Sequence, residues 1–261
     1  MNLRVRPNGT HGLVHHVTPT SAGWTYVGFD LQRLGAGERA GAQTGDREVC
    51  LVFVSGKGKV VIDGKDFGEL GKRMSPFDGP PAAVYVPAKS RWAVTATTAL
   101  DLAVCSSPGG GPYEARVIDV PPQITRGKGS NTRYVTNILP ETDAANSLLV
   151  VEVITPNGNT SSYPPHKHDE DNLPHESLLE ESYYHRLNPP QGFALQRVYT
   201  DDRSLDEAVP VEDGDVVLVP RGYHPVATVH GYDSYYLNVM AGPKRIWKFH
   251  NAPEHEWLMK A

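Results

Sequence analysis

The stretch YPPHKHDEDNLPHESLLEESYYH, residues 163–185, gathers four of the chain's eleven histidines and six of its thirty acidic residues. Histidines and carboxylates at this density can bind a divalent metal ion or move protons. In an extended strand residues i and i+2 share a face, so His166 and His168 project into one space. A first-row divalent ion needs three or more such donors from different segments, and the His-x-His pair supplies two. Downstream, Glu180 and Glu181 open a β-forming run, and alternation puts one of the two carboxylates on the histidine side. A third segment, VPRGYHPVA, offers His224 just past an apolar strand and a turn. Together these make a shell of three imidazoles and one carboxylate.

Strands must hold these groups. The 25 glycines and 22 prolines are spread along the chain, and the apolar residues come in short runs between turn signals, as in an antiparallel all-β protein. REVCLVFVSGKGKVVIDG (47–64) reads as a hairpin about a Gly-rich turn, and AAVYVPAKSRWAVTA (82–96) as strand, turn and strand. The second half repeats this order. AVYVPAKSRWAVTA and VVLVPRGYHPVATV share an apolar strand, a Val-Pro step, a polar turn and an exit strand, which predicts two similar β-domains. The Gly/Pro-rich segment 106–140 separates them, giving domains of residues 1–120 and 121–261. Within it RGKGSNTR (126–133) carries three cations and reads as a solvated loop, with anion binding or subunit contact as the functional alternative.

Composition narrows the partners. A formal net charge of −5 with no basic run at either end argues against nucleic acid or an anionic membrane and for a small-molecule ligand. No apolar run is long enough to span a bilayer or to serve as a secretory signal, so a soluble cytoplasmic protein is expected. Cys50 and Cys105 lie in apolar runs and are expected as buried free thiols.

The order His-x-His, Glu, strand, then GDVVLVPRGYHPV (214–226) resembles the two motifs of the cupin superfamily, small β-barrels built around one metal. The spacing departs from that pattern, because DEDNLPHESLLE separates His168 from Glu181, so an inserted loop is implied. We expect that loop to cover the barrel mouth. By the resemblance the ligand is Glu181 rather than Glu180. Three longer blocks, RGKGSNTRYVTNILPE, the 163–200 stretch and DVVLVPRGYHPVATVHGYDSYYLNVMAG, are similar to the 5-deoxy-glucuronate isomerases of myo-inositol catabolism. The resemblance implies an all-β bicupin of two jelly-roll barrels. It also implies conversion of 5-deoxy-D-glucuronate to 5-dehydro-2-deoxy-D-gluconate, with a divalent metal in the C-terminal barrel; imidazole and carboxylate ligands suit zinc, iron or manganese alike. The N-terminal half lacks both histidine motifs and is expected to hold no metal.

An aldose–ketose isomerisation needs a base beside the metal, and Glu180, His175, Tyr184 and His185 are the candidates nearest in sequence. A sugar-acid substrate also needs a cation for its carboxylate. Arg186, Arg197, Arg221 and Arg245 lie on or beside C-terminal strands, and alternation favours Arg197 pointing inward. Two other classes fit the same shell: a non-catalytic sugar-acid-binding bicupin and an iron-dependent dioxygenase. Barrels with exposed edges often pair, so a homo-oligomer is expected.

Overall fold

The computed structural model describes residues 2–259. Two barrels account for nearly all of them, each with a large and a small antiparallel sheet. In the N-terminal barrel the large sheet runs Arg116–Val117, Ala82–Val86, Arg47–Ser55, Leu100–Pro108, Gly28–Leu34, Gly12–Val17. Its small sheet runs Arg39–Gln43, Arg91–Ala96, Gly58–Ile62, Lys65–Leu70. The C-terminal large sheet is Arg4–Val5, Val216–Val219, Glu180–Asn188, Asp233–Ala241, Leu149–Thr155, Arg133–Leu139, Ile124–Arg126. Thr160–Ser161, Val226–Thr228, Phe193–Tyr199 and Asp206–Glu212 form the small sheet opposite. Helix is confined to Pro19–Ala22 and two 3-10 turns among the described residues. None is long and apolar enough to cross a membrane.

Strand alternation divides the apolar residues into three cores. Val49, Leu51 and Phe53 fill the N-terminal barrel, whereas Cys50, Val52 and Val54 of the same strand face the other way. They meet Leu237, Val239 and Ala241 of the C-terminal sheet, so the two large sheets pack face to face over a shared core. Tyr183, Tyr236 and Met240 line the C-terminal barrel. Cys50 and Cys105 are buried free thiols in the shared layer.

Two expectations are corrected. The run 47–64 is not a hairpin: Arg47–Ser55 pairs with Ala82–Val86 and Leu100–Pro108, while Gly58–Ile62 pairs in the small sheet. Gly56, at φ +90°, turns the chain from one sheet to the other where a Cβ would strike the Ala99 carbonyl. Nor do the strands divide cleanly at residue 120, because Arg4–Val5 pairs with Val216–Val217 and closes the edge of the C-terminal sheet. Arg4 is anchored there by Asp215 at 2.7 Å.

Equivalent positions in the barrels follow from register. Val49 lies opposite Val86 as Glu181 lies opposite Val219, and each of these valines precedes the proline of its Val-Pro step. Val49 therefore occupies the place of Glu181, and Arg91 that of His224.

Candidate metal centre

His168, Glu181 and His224 come from three segments and are buried together, with one ligand atom of each within 4.8 Å of the others. His168 Nε2 lies 3.0 Å and His224 Nε2 3.1 Å from Glu181 Oε2. The His166 ring stands 5.0 Å from that of His224 and 6.3 Å from that of His168, at the margin of the group.

The imidazole tautomers are set from behind. His166 Nδ1 faces the Pro164 carbonyl at 3.2 Å, His168 Nδ1 that of Leu179 at 3.0 Å, and His224 Nδ1 that of Gly222 at 2.8 Å. A carbonyl only accepts, so each Nδ1 carries the proton and each Nε2 presents a lone pair. The buried Nε2 of His224 has no hydrogen-bond partner, its contact with Glu181 being misaligned. A divalent cation would satisfy it, and these residues fit one. Burial would raise the Glu181 carboxyl, but the adjacent His168 and His224 side chains outweigh it and hold it down to about 2. Burial lowers His166 to about 3. Burial would also lower His168, but its contact with the Glu181 carboxylate raises it, and a bound cation would take the place of that proton. An ionised carboxylate and neutral imidazoles are the forms a metal requires.

The strand His166–Lys167 is only two residues long and is held from outside. It pairs with His250–Asn251, and Phe249 packs on the His166 ring at 4.7 Å. Lys167 points away from the ligands, its ammonium 2.8 Å from Asp169, 3.0 Å from Glu170 and 3.1 Å from Glu176. These carboxylates could by themselves suggest a second cation site, but the lysine ammonium already fills it. The other oxygen of Asp169 accepts from the Gly222 amide at 2.7 Å, tying the first histidine segment to the turn before His224. The inserted loop is thus a hairpin, Asp169–Asn172 with Glu176–Leu178, fastened to Lys167 and, through Ser177, to Lys248.

Strand direction sorts the remaining candidates. Along Glu180–Asn188, residues 181, 183 and 185 face the barrel lumen and 180, 184 and 186 face the N-terminal barrel. Glu180 is not a base at the metal, because its carboxylate accepts from the amides of Thr25, Tyr26 and Val27 at 2.6–3.0 Å. Tyr184 packs between the barrels on Phe29 and His15, which removes it too. His175 sits exposed at the tip of the acidic hairpin. His185 does face the lumen, stacked on Tyr183 and bonded through Nε2 to Gln196 Oε1 at 3.0 Å.

None of the four arginines is placed for a substrate in the lumen. Arg186 bridges Asp213 and Asp101 across the domain contact. Arg197 points outward, bidentate to Asp206 and over the Tyr199 ring. Arg221 is exposed in its turn, and Arg245 binds the carbonyls of Leu139, Pro140, Glu141, Asp143 and Leu148. Sequence reasoning missed Tyr183, Ser162 and Tyr236, whose hydroxyls run in a row of 3.0 and 3.4 Å contacts along the lumen. The signal for Tyr183 was the alternation from Glu181.

The profile of the KduI/IolB family matches residues 3–258. The 5-deoxy-glucuronate isomerase of Geobacillus kaustophilus HTA426 is 55% identical over 255 residues, covering 96% of this chain and 92% of that protein. That of Bacillus subtilis 168 is 49% identical over 252 residues, covering 95% and 93%. The crystal structure of an IolB-like protein from Salmonella typhimurium LT2 superposes with a TM-score of 0.97 at 52% identity, covering 99% and 100%. Oxalate decarboxylase of Bacillus subtilis shares the bicupin fold alone, at a TM-score of 0.66 and 12% identity, over 96% of this chain and 78% of that one.

Proposed function

Since the chain belongs to the KduI/IolB family and is an isomerase of 5-deoxy-glucuronate, we propose that its reaction is run in the lumen of the C-terminal barrel at a cation held by His166, His168, Glu181 and His224. The observation that carries this reading is the set of three imidazoles, each fixed by a backbone carbonyl as the tautomer with a free Nε2, around an ionised carboxylate. Imidazole and carboxylate donors accept zinc, iron or manganese alike. When bound, a divalent cation supplies Lewis acidity that lowers the cost of negative charge developing on oxygen.

The chain's own residues handle the protons. Isomerisation takes hydrogen from the hydroxyl-bearing carbon and returns one to the former aldehyde carbon. His185 is suited to this proton transfer, since its Nε2–H donates to Gln196, Nδ1 carries the lone pair, and this Nδ1 is buried without a partner. Burial holds His185 down to about 4, so it is neutral and able to accept a proton at pH 7. The hydroxyls of Tyr183, Ser162 and Tyr236 line the lumen beside this site and suit the hydroxyl groups of a sugar acid.

The test follows 5-deoxy-D-glucuronate by proton NMR alongside elemental analysis. Aldehyde loss with ketone appearance is expected of the wild type, with metal and turnover lost together in His168→Ala and His224→Ala. His185→Gln should keep its metal and lose about 100-fold or more in kcat. Full turnover in a metal-free protein would overturn this reading.

A further inference from the structure

The substrate of the proposed reaction is an anion, yet Arg197, which alternation favoured, faces outward and Arg186 and Arg245 are engaged elsewhere. Among the described residues, Arg133 offers another cation for the lumen side. Arg133 opens the strand Arg133–Leu139, whose Val135 packs into the C-terminal barrel core while Ile138 packs between the barrels. Alternation from Val135 puts Arg133 on the lumen face. The adjoining strand agrees: Val135 pairs with Val153 of the barrel core, and Thr155, two residues on, bonds Ser161 at 2.8 Å.

The guanidinium is partly buried and lacks a carboxylate partner among the described residues. Its hydrogen bonds come from one amino group, to the carbonyl and side-chain oxygens of Asn131 at 3.0 and 3.1 Å. Nε and the second amino group are left to bind something else. Elsewhere in this half Arg203 reaches Glu254 and Asp206, and Arg126 stands exposed. Arg133 also acts electrically on the Tyr236 hydroxyl, which burial raises and this cation opposes. From Tyr236 the hydroxyl row runs by Ser162 to Tyr183, whose phenol feels the Glu181 carboxylate. Arg133 and the candidate ligands thus flank one row of hydroxyls on the lumen side.

We propose that Arg133 receives the carboxylate of the substrate while its aldehyde end lies at the His168, Glu181 and His224 shell, so that Arg133 selects a uronate over a neutral sugar. This rests on the proposed function above. A guanidinium with Nε and one amino group free presents the parallel pair of donors that a carboxylate takes up bidentately. Asn131 holds the remaining amino group and so fixes the plane of the fork.

The experiment compares wild type, Arg133→Met and Arg133→Lys on 5-deoxy-D-glucuronate and on 5-deoxy-D-glucose, its neutral counterpart with an alcohol in place of the carboxylate. In Arg133→Met we expect KM for the acid to rise roughly 10- to 100-fold, with kcat changed less, KM for the neutral sugar unchanged, and metal content and melting temperature retained. Arg133→Lys should recover part of the loss. An unchanged KM for the acid, or a parallel loss on both sugars, would overturn the assignment while leaving the isomerase reading intact. A wild type that turns over neither sugar would instead overturn the reading on which the assignment rests.

Discussion

At the scale of single residues, the pair Glu180 and Glu181 shows how one step along a strand exchanges function for architecture. Glu181 meets His168 and His224, and Glu180 caps three amides of the other barrel. Glu181→Gln should lose the metal and turnover while folding normally. Glu180→Ala should keep its metal but lose about 2 to 4 kcal/mol of stability, because buried amides are left without acceptors. Chemical denaturation with elemental analysis separates the two, and equal metal loss in both would refute the division of labour. The candidate ligands His168 and His224 were legible in the sequence from the His-x-His pair and the turn after the Val-Pro step, whereas Glu181 was separated from Glu180 only by the family resemblance. The surrounding residues were less so. On Phe193–Tyr199 the large apolar Phe193 and Leu195 face solvent, while Ala194 and Gln196 face inward. A lumen that must hold a polar ligand reverses the usual hydrophobic pattern, and Arg197 accordingly faces outward, against the expectation from alternation. Three histidines also set an acid limit. Burial holds His185 down to about 4 and His166 to about 3, and His15 is lowered by burial against its bond to the Gly214 carbonyl. An unfolded chain protonates all three near pH 6.5, so their contribution to stability is full above that pH and falls as pH drops from about 6.5 toward 3. For metal-free protein the unfolding free energy should show this slope, and His185→Gln should flatten it by up to about 1.4 kcal/mol per pH unit.

At the scale of elements, a two-residue strand cannot fix the register of its own histidines. The ligand strand is placed by what grips Lys167 between them: Asp169, Glu170 and Glu176, with Asp169 also holding the Gly222 amide. Lys167→Met removes the centre of this grip and leaves the carboxylates of Asp169 and Glu176 facing one another without a cation. Metal affinity should weaken about 10- to 100-fold, read by competition with a chromophoric chelator, and Lys167→Arg should restore part of it. Unchanged affinity would make the acidic hairpin a bystander. The insertion itself was evident from spacing, but its anchoring was not, since an ion cluster closed by one lysine has no periodicity to reveal it. The 47–64 run misled for a related reason. Two β-runs about a Gly turn are the signature of a hairpin and also of a chain crossing between sheets, and only the contacts of Gly56 decide.

At the scale of the whole molecule, the duplication visible in the sequence becomes a reciprocal clasp. Glu48, on the N-terminal strand equivalent to that of Glu180, accepts from the amides of Asn146, Ser147 and Leu148 at 2.6–2.7 Å, just before the strand Leu149–Thr155. Glu180 does the same to residues just before Gly28–Leu34. Each barrel thus satisfies backbone donors of the other, and the N-terminal barrel, with Val49 and Arg91 in the ligand places, braces the residue beside a ligand of the C-terminal one. Arg73 and Glu152 add a buried pair across the same layer, with contacts of 3.0 and 2.8 Å and both side chains 2% exposed. Breaking such a pair from one side strands a charge where water cannot reach it, at a cost of about 3 to 5 kcal/mol, whereas replacing both partners with apolar groups is often close to neutral. Arg73→Met should therefore lower the melting temperature by roughly 10 °C, and Arg73→Met with Glu152→Leu should recover most of that loss. Because the shared core and both clasps couple the barrels, calorimetry should show one transition that moves as a unit in each variant. A transition splitting in two, with only the N-terminal part shifted, would mean that the barrels unfold independently and that the brace does not reach the metal strand.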